Sequence, residues 1–500
     1  MAHRSLKKRD EIAWVQSPMT TLAVVPILVQ AGTTAFSAIL AGAGTLLAAL
    51  FRPLEWLRWC RRKPASAALL IFGMLCLGGG LVGLGHRMAA RARSQTDWAQ
   101  VAINLIHSEQ STHSAGSTEA GPHNLRPLWE FQLPGASFLS TPVLANGRLY
   151  AASCAVDVSG TFGSIFCLDA TTGQLIWQVD KIDNQDLKAF FSSPALSADG
   201  KFLLIGEGLH FDTACHLICL NAATGALHWK IDVPKNHVES SPAILGDMVV
   251  VGAGAIERAN HLPVESPGYA LAVGISDGRI RWQSDIVDPE SSPAIGRDGI
   301  VYIGSGVNGS AVVALDAQGR RLWKTSTPYP ATGAVSLLPE LVIIGTGRGD
   351  FVNADSHPAG AVLTLDRISG RILWKTEFPD AVLGNLAIVE GKIFCPVRDG
   401  TVVALNLENG EKIWSQQISH APILAGPTCS GGSLYAVSSD GFLVVLEQKT
   451  GRLLEKHALN DEAHPGRQNL CVSAPLVSDG RVFVGSETGG LRCFRGTLSQ

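Results

Sequence analysis

Nine side chains of types that bind or react sit where one run of strand-like residues gives way to the next: Lys188, His210, Asp212, His237, Glu239, Asp288, Glu290, Tyr329 and Asp380. Glu239 and Glu290 occupy equivalent places in successive repeats, and carboxylates paired at one opening can hold a cation or share a proton. For any single one of these residues, a solvated rim charge or a hydrogen bond that ties strand ends together is the favoured alternative. His210, Asp212 and Cys215 spell H-x-D-x-x-C, which matches no established metal-ligand spacing and reads first as a group that orders its own loop. The 10 cysteines include no CxxC, no adjacent pair and no Cys/His spacing of the zinc type, so no metal ligand is assigned. Cys154 and Cys167 flank a hairpin loop, either facing each other or as two separate buried thiols. There is no GxSxG, HExxH or Walker-type loop, and no catalytic residue is assigned. The nine side chains are therefore read as ligand-binding candidates.

The elements that must position them repeat. A Ser/Pro-containing strand, a turn, a β-branched strand, a strand ending in Leu-Asp or similar and a Gly-x-x-x-Trp strand recur from residue 125 onward. Trp177, Trp229, Trp282, Trp323, Trp374 and Trp414 follow Gly173, Gly225, Gly278, Gly319, Gly370 and Gly410 by four residues, and Trp129 occupies the matching strand before them. A further step reaches Glu455, where Gly451 is kept but Trp is replaced, which makes eight final strands. Opening strands, counted separately from Ser140-Thr-Pro to Ser473-Ala-Pro, also number eight. The last unit runs out before its fourth strand, whereas Pro127 to Leu133 has no earlier strands of its own. These two halves are expected to complete one blade, giving an all-β, eight-bladed propeller of four-stranded blades closed by its N-terminal strand. In LDATTGQLIW, Asp169 can bond backbone two residues on and Gly173 can supply a left-handed position, so the turn is tight. The tryptophans then fill the wedges between blades and count as architecture.

L-D-x-x-T-G-x-x-x-W at Leu168 to Trp177 resembles the tryptophan-docking repeat of pyrroloquinoline-quinone (PQQ) type propellers, as do the SxP openings and the Gly400 to Asn406 strand. The residue after the repeat Trp is never Asp, which sets the chain apart from WD repeats. Segments such as His210 to Gly225 and His237 to Ile244 resemble a membrane-anchored bacterial group of these propellers whose members share names with BamB, the B subunit of the outer-membrane β-barrel assembly machine. The resemblance to PQQ dehydrogenases would imply a quinone held with calcium, a catalytic aspartate and commonly a Cys-Cys pair. This chain lacks that dipeptide, so no cofactor is expected, and PQQ with calcium belongs only to the alternative reading.

Turns joining strands one to two and three to four lie on one face of such a ring and are uniformly short here, as in Ser197 to Lys201 and Asn221 to Gly225. The opposite face carries the long connections Cys154 to Ser164, Glu207 to Cys215, Ala253 to Gly268 and Gly345 to Gly360, all in the first five blades. Binding loops collect on such a rim, so the working face should be lopsided.

Before the propeller, residues 12–51 and 64–85 contain no charged side chain, each long enough to cross a hydrocarbon core of ~30 Å. The domains are expected to be a membrane region at 1–93 with one or two transmembrane helices near 20–51 and 64–85, a polar linker at 94–124, and the propeller at 125–496. If both runs span, the basic groups around Arg4 and Arg87 put the propeller in the cytoplasm. If the first run, softened by Pro26, Gln30 and Ser37, only lies in the membrane, the propeller is exported to the periplasmic side of the cell membrane, and this is the expected arrangement. A formal charge of −3 supplies no field that would draw nucleic acid, so the partners expected are the lipid bilayer and a protein or envelope polymer. The function expected is non-catalytic binding of a protein, peptide or envelope component through the long-loop face. The alternative is a PQQ-dependent quinoprotein oxidoreductase with a reduced calcium and quinone site around Glu239, Glu290 and Asp380. A third reading is a sensor that passes ligand occupancy through the membrane runs.

Overall fold

The computed structural model describes residues 121–255, 267–461 and 470–498. The two apolar runs, the linker up to residue 120 and part of the Ala253 to Gly268 connection lie outside the described residues.

Eight four-stranded antiparallel sheets follow one another along the chain. Blade 1 comprises Val143–Ala145, Arg148–Ala152, Ile165–Asp169 and Leu175–Val179. Blade 2 runs from Ala195–Leu196 to Leu227–Val233, blade 3 from Ala243–Leu245 to Ile280–Asp285, and blade 4 from Ala294–Ile295 to Arg321–Ser326. Blade 5 runs from Ser336–Leu337 to Ile372–Phe378, blade 6 from Ala387–Val389 to Lys412–Gln417, and blade 7 from Thr428–Ser430 to Leu453–Ala458. Blade 8 takes Leu476–Ser478, Arg481–Gly485 and Leu491–Leu498 from the end of the chain and Pro122–Phe131 from its first described segment. Trp129 pairs with Cys493 and Pro122 with Leu498 across that junction, so the closing strand starts three residues before Leu125.

Burial follows the geometry of a ring. The two middle strands of each blade are covered on both faces, as in Val301–Ser305 and Ala311–Leu315, where every residue is buried. The outer strand alternates, because one face packs on the next blade and the other meets water, as in Arg321–Ser326. Eight apolar clusters each join two neighbouring blades, from Tyr150 with Ile218 between blades 1 and 2 to Phe166 with Phe483 between blades 8 and 1.

Seven seams carry the tryptophan. Each indole N–H donates to a backbone carbonyl in the next blade's outer turn, from Trp129 to Ala170 at 3.2 Å through Trp229 to Ile275 at 2.7 Å to Trp414 and Gln448 at 3.2 Å. The ring lies flat on that turn's glycine: a Cβ on Gly173 would stand 2.6 Å from Trp129, and one on Gly319 the same distance from Trp282. Those glycines also have positive φ, 73° and 76°, so shape and backbone both demand Gly. Asp169 accepts from the amides of Thr171 and Thr172 at 2.9 and 2.8 Å and sets this turn.

The seam between blades 7 and 8 is different, and this explains Glu455. The outer hairpin of blade 8 is split between the two distant chain segments, so there is no turn for an indole to cover. Glu455 instead accepts from the amides of Asn124 at 2.6 Å and Leu125 at 2.9 Å, with His457 Nε2 at 2.9 Å from the same carboxylate.

Candidate functional site: the channel mouth on the long-loop face

The residues just ahead of each opening strand face the ring axis and build its mouth. The SxP openings of blade 8 and blades 1 to 4 contribute two arcs of hydroxyls. Thr141, Ser193 and Ser241 each donate a backbone N–H, at 3.0 Å in every case, to the hydroxyl of Ser193, Ser241 and Ser292 in the next blade. The amide of Ala474 closes the series onto Thr141 Oγ1 at 3.0 Å. Behind them, Ser192, Ser240 and Ser291 are buried, donate to carbonyls of Ser240, Ser291 and Gly333 in the following blade, and the first two accept from Gly206 and Gly252. The motif that marks strand openings in the sequence thus hydrogen-bonds blade to blade along the axis.

A cavity of about 80 Å³ lies inside this ring. Its wall is lopsided: Leu139, Phe191, Leu383, Leu424 and Val472 make blades 1, 2, 6, 7 and 8 apolar, whereas Glu239 and Glu290 make blades 3 and 4 acidic. Phe351, from the long connection of blade 5, reaches over the mouth and meets Phe191 edge-on at 5.0 Å. That connection is held by Asp350, which accepts from the Val352 amide at 2.6 Å, and by buried Arg398 of blade 6, whose Nη2 donates to the Val352 carbonyl at 3.4 Å.

The acidic side contains five of the nine sequence candidates. Glu239 accepts from the His210 amide at 2.7 Å, with the His210 Nδ1 at 3.5 Å. His237 Nε2 stands 3.4 Å from Glu290 Oε1, and neither imidazole nitrogen has a hydrogen bond of acceptable geometry although the side chain is 0% exposed. Asp288, also buried and at φ 52°, accepts from the amides of Ala255 at 3.3 Å and Asn308 at 3.4 Å. Burial and the neighbouring Asp288 and Glu239 charges push the Glu290 carboxyl up to about 7, despite the opposing pull of His237. Burial alone would raise Glu239 too, but His210 and His237 hold it below the ordinary carboxylate value. Burial disfavours the charged form of His237, yet Glu290, Glu239 and Asp288 together raise its affinity for a proton.

The other four candidates fall elsewhere. Asp212 accepts from Thr161 Oγ1 at 2.8 Å and the Leu209 amide at 2.9 Å, linking the small hairpin Ala155–Asp157/Gly160–Phe162 of blade 1 to the blade 2 loop. Lys188 lies near the buried thiol of Cys215. Tyr329 underlies Arg348, whose guanidinium is 5.6 Å from the ring centre. Asp380 caps its neighbour, accepting from the Ala381 amide at 2.7 Å. Of the nine, only Glu239 and Glu290 line the cavity itself. Cys154 and Cys167 are both free, buried thiols. Sequence reasoning missed Phe191 and Phe351 and a second pair, buried Glu207 with the partly buried His216 through Nδ1, whose other nitrogen is 3.3 Å from Asp232. Only the recurrence of SxP offered a signal for the hydroxyl arcs.

The mouth, about 80 Å³ and lined in part by Phe351, offers little room for a three-ring quinone.

Comparison with known proteins agrees with this architecture. The solved structure of BamB from Moraxella catarrhalis superposes with a TM-score of 0.53 at 17% identity, covering 74% of this chain and 99% of that one. The quinohemoprotein alcohol dehydrogenase from Comamonas testosteroni gives 0.57 at 15% identity, with 80% and 85% covered. At such identities both show the fold alone. Outer membrane protein assembly factor BamB of Yersinia pestis is 24% identical over 66% of this chain and 80% of its own length, and that of Xanthomonas campestris pv. campestris is 29% identical over 71% and 80%. The family model described as outer membrane protein assembly factor BamB matches residues 161–341 and 356–499. These matches span most of the propeller, and the chain belongs to the BamB family of PQQ-type β-propellers.

Proposed function

We propose that this protein is a non-catalytic docking platform of the bacterial envelope, tethered to a membrane through its N-terminal apolar runs, which binds a partner protein on the long-loop face. One observation carries the reading. Among the described connections, Val156 and Val158 of blade 1, Phe211 of blade 2, Val307 of blade 4 and Val352 of blade 5 are large apolar side chains exposed to water on that face. They stand on blades 1, 2, 4 and 5, while the links between the two middle strands of blades 6 to 8 are short turns. Apolar tips on a rigid rim are the usual anchors of a protein interface. The names of the relatives, assembly factors of the outer membrane, favour a partner engaged in inserting envelope proteins. A periplasmic placement of the propeller fits the same reading.

Site-specific photocrosslinking tests it. A photoreactive residue at Val158, Phe211 or Val352 should yield adducts with one envelope protein, and Phe211→Asp should weaken capture at least tenfold without lowering the melting temperature. Equal yields from Ile368, exposed in a turn of the opposite face, would sink the proposal.

A further inference from the structure

We infer that His237, Glu239 and Glu290 form a binding site for one divalent cation of the zinc, nickel or cobalt class at the channel mouth. One ligand atom from each of the three lies within 4.8 Å of the others. Bond lengths of ~2.0–2.2 Å to nitrogen and oxygen require ligand atoms closer together than that limit, so the carboxylates would move inward on binding. A buried imidazole ordinarily spends both nitrogens on hydrogen bonds, yet His237 spends neither, and its Nε2 is aimed at Glu290.

The surroundings hold the three in place. The His237 carbonyl accepts from the Gly254 amide at 3.0 Å, and Asn236 Nδ2 donates to the Gly254 carbonyl at 2.7 Å, which fixes the backbone beneath the imidazole. A Cβ on Gly254 would stand 2.6 Å from His237 Nε2 and 2.9 Å from Glu290 Cγ, so only glycine leaves room for the pair. The His210 amide orients Glu239. Asp288, buried next to the group, adds a third carboxylate to a site whose nearest partners are imidazoles. A divalent ion would bring positive charge to this carboxylate-rich group. Imidazole with two carboxylates favours a borderline metal over calcium, which selects oxygen donors. Three protein ligands leave a coordination position open toward the channel, where a partner's side chain or water completes the set.

Titration of the purified full-length chain, free of any histidine tag, with Co²⁺ tests this. The expected result is a visible absorption band that saturates at one equivalent, is displaced by Zn²⁺ and not by Ca²⁺, and loses at least tenfold in affinity in His237→Ala and in Glu290→Gln. Should His237→Ala lose the native near-ultraviolet circular dichroism of its tryptophans, Glu239→Gln takes its place with the same expectation. No saturable band, undiminished affinity in folded variants, or displacement by Ca²⁺ would each overturn the site.

Discussion

Phe351 meets Phe191 edge-on with 5.0 Å between ring centres, although one belongs to the long connection of blade 5 and the other leads into blade 2. The contact spans the mouth of the channel and couples two sides of the ring that share no hydrogen-bonded strand. Phe351→Ala should release the connection at 348–359 while leaving the blades intact. Limited proteolysis should then cut within that segment, and global stability should fall by about 1–3 kcal/mol. Unchanged protection would show that Asp350 and Arg398 suffice to hold it.

The tryptophan and the glycine beneath it act as one unit. Trp282 is 9% exposed and donates to Ala317 at 3.0 Å, and truncation to Ala should cost about 3–5 kcal/mol in chemical denaturation. Gly319→Ala should cost about 1–3 kcal/mol through both the close approach and the positive φ. Since the alanine clash exists only against the indole, the double variant should be less destabilised than the sum, which a double-mutant cycle measures.

The closing seam predicts sensitivity to acid. Burial alone would raise the Glu455 carboxyl, but His457 and the amides of Leu125 and Asn124 hold it below its ordinary value. A depressed carboxylate contributes stability above its unfolded value of ~4.3, and that stability is lost as pH falls through the lower folded value. Wild-type protein should therefore weaken below about pH 4 at this seam, by about 1 kcal/mol. Glu455→Gln should be weaker at neutral pH and flatter across that window, as followed by hydrogen exchange of the Leu125 amide.

Buried hydroxyls should matter more than their size implies. Ser240 accepts from Gly252 at 3.0 Å and donates to Ser291 at 3.1 Å, both out of reach of water. Ser240→Ala leaves one buried donor and one acceptor unpaired and should cost about 1–3 kcal/mol by thermal unfolding. Ser240→Thr, which keeps the hydroxyl but crowds the axis, should recover less than half of that loss.

The ring was legible in the sequence because its seams repeat. Gly173 with Trp129, and each later pair, obey one local rule that spacing alone reveals. Glu455 was visible as a departure from the rule, but its reason was not: the missing turn exists only once Pro122–Phe131 has joined the last blade. The channel was harder. Glu239 and Glu290 share a register, so equivalence placed them together, whereas Tyr329 and Asp380 lie earlier in the approach to their blades' opening strands and meet other partners. Phe351 carried no signal, because the reach of a long connection depends on what stands opposite it in space. His237 could be singled out by type, but the Gly254 that accommodates its ring lies just past the strand Met248–Ala253 and shows no motif.

The pairing of Pro122–Phe131 with Leu491–Leu498 also sets an order of events during synthesis. The first blade strand to leave the ribosome is the last to find its partner, since that partner is made some 370 residues later. Blades 1 to 7 can stack as they emerge, each adding a neighbour interface, while the opening strand waits. A chain released early keeps one bare sheet edge at each end, an invitation to proteases and to other unfinished chains. Closure thus works as a completeness check: only a molecule translated through its final strand hides both edges, and only then does the rim of apolar tips stand on a rigid body.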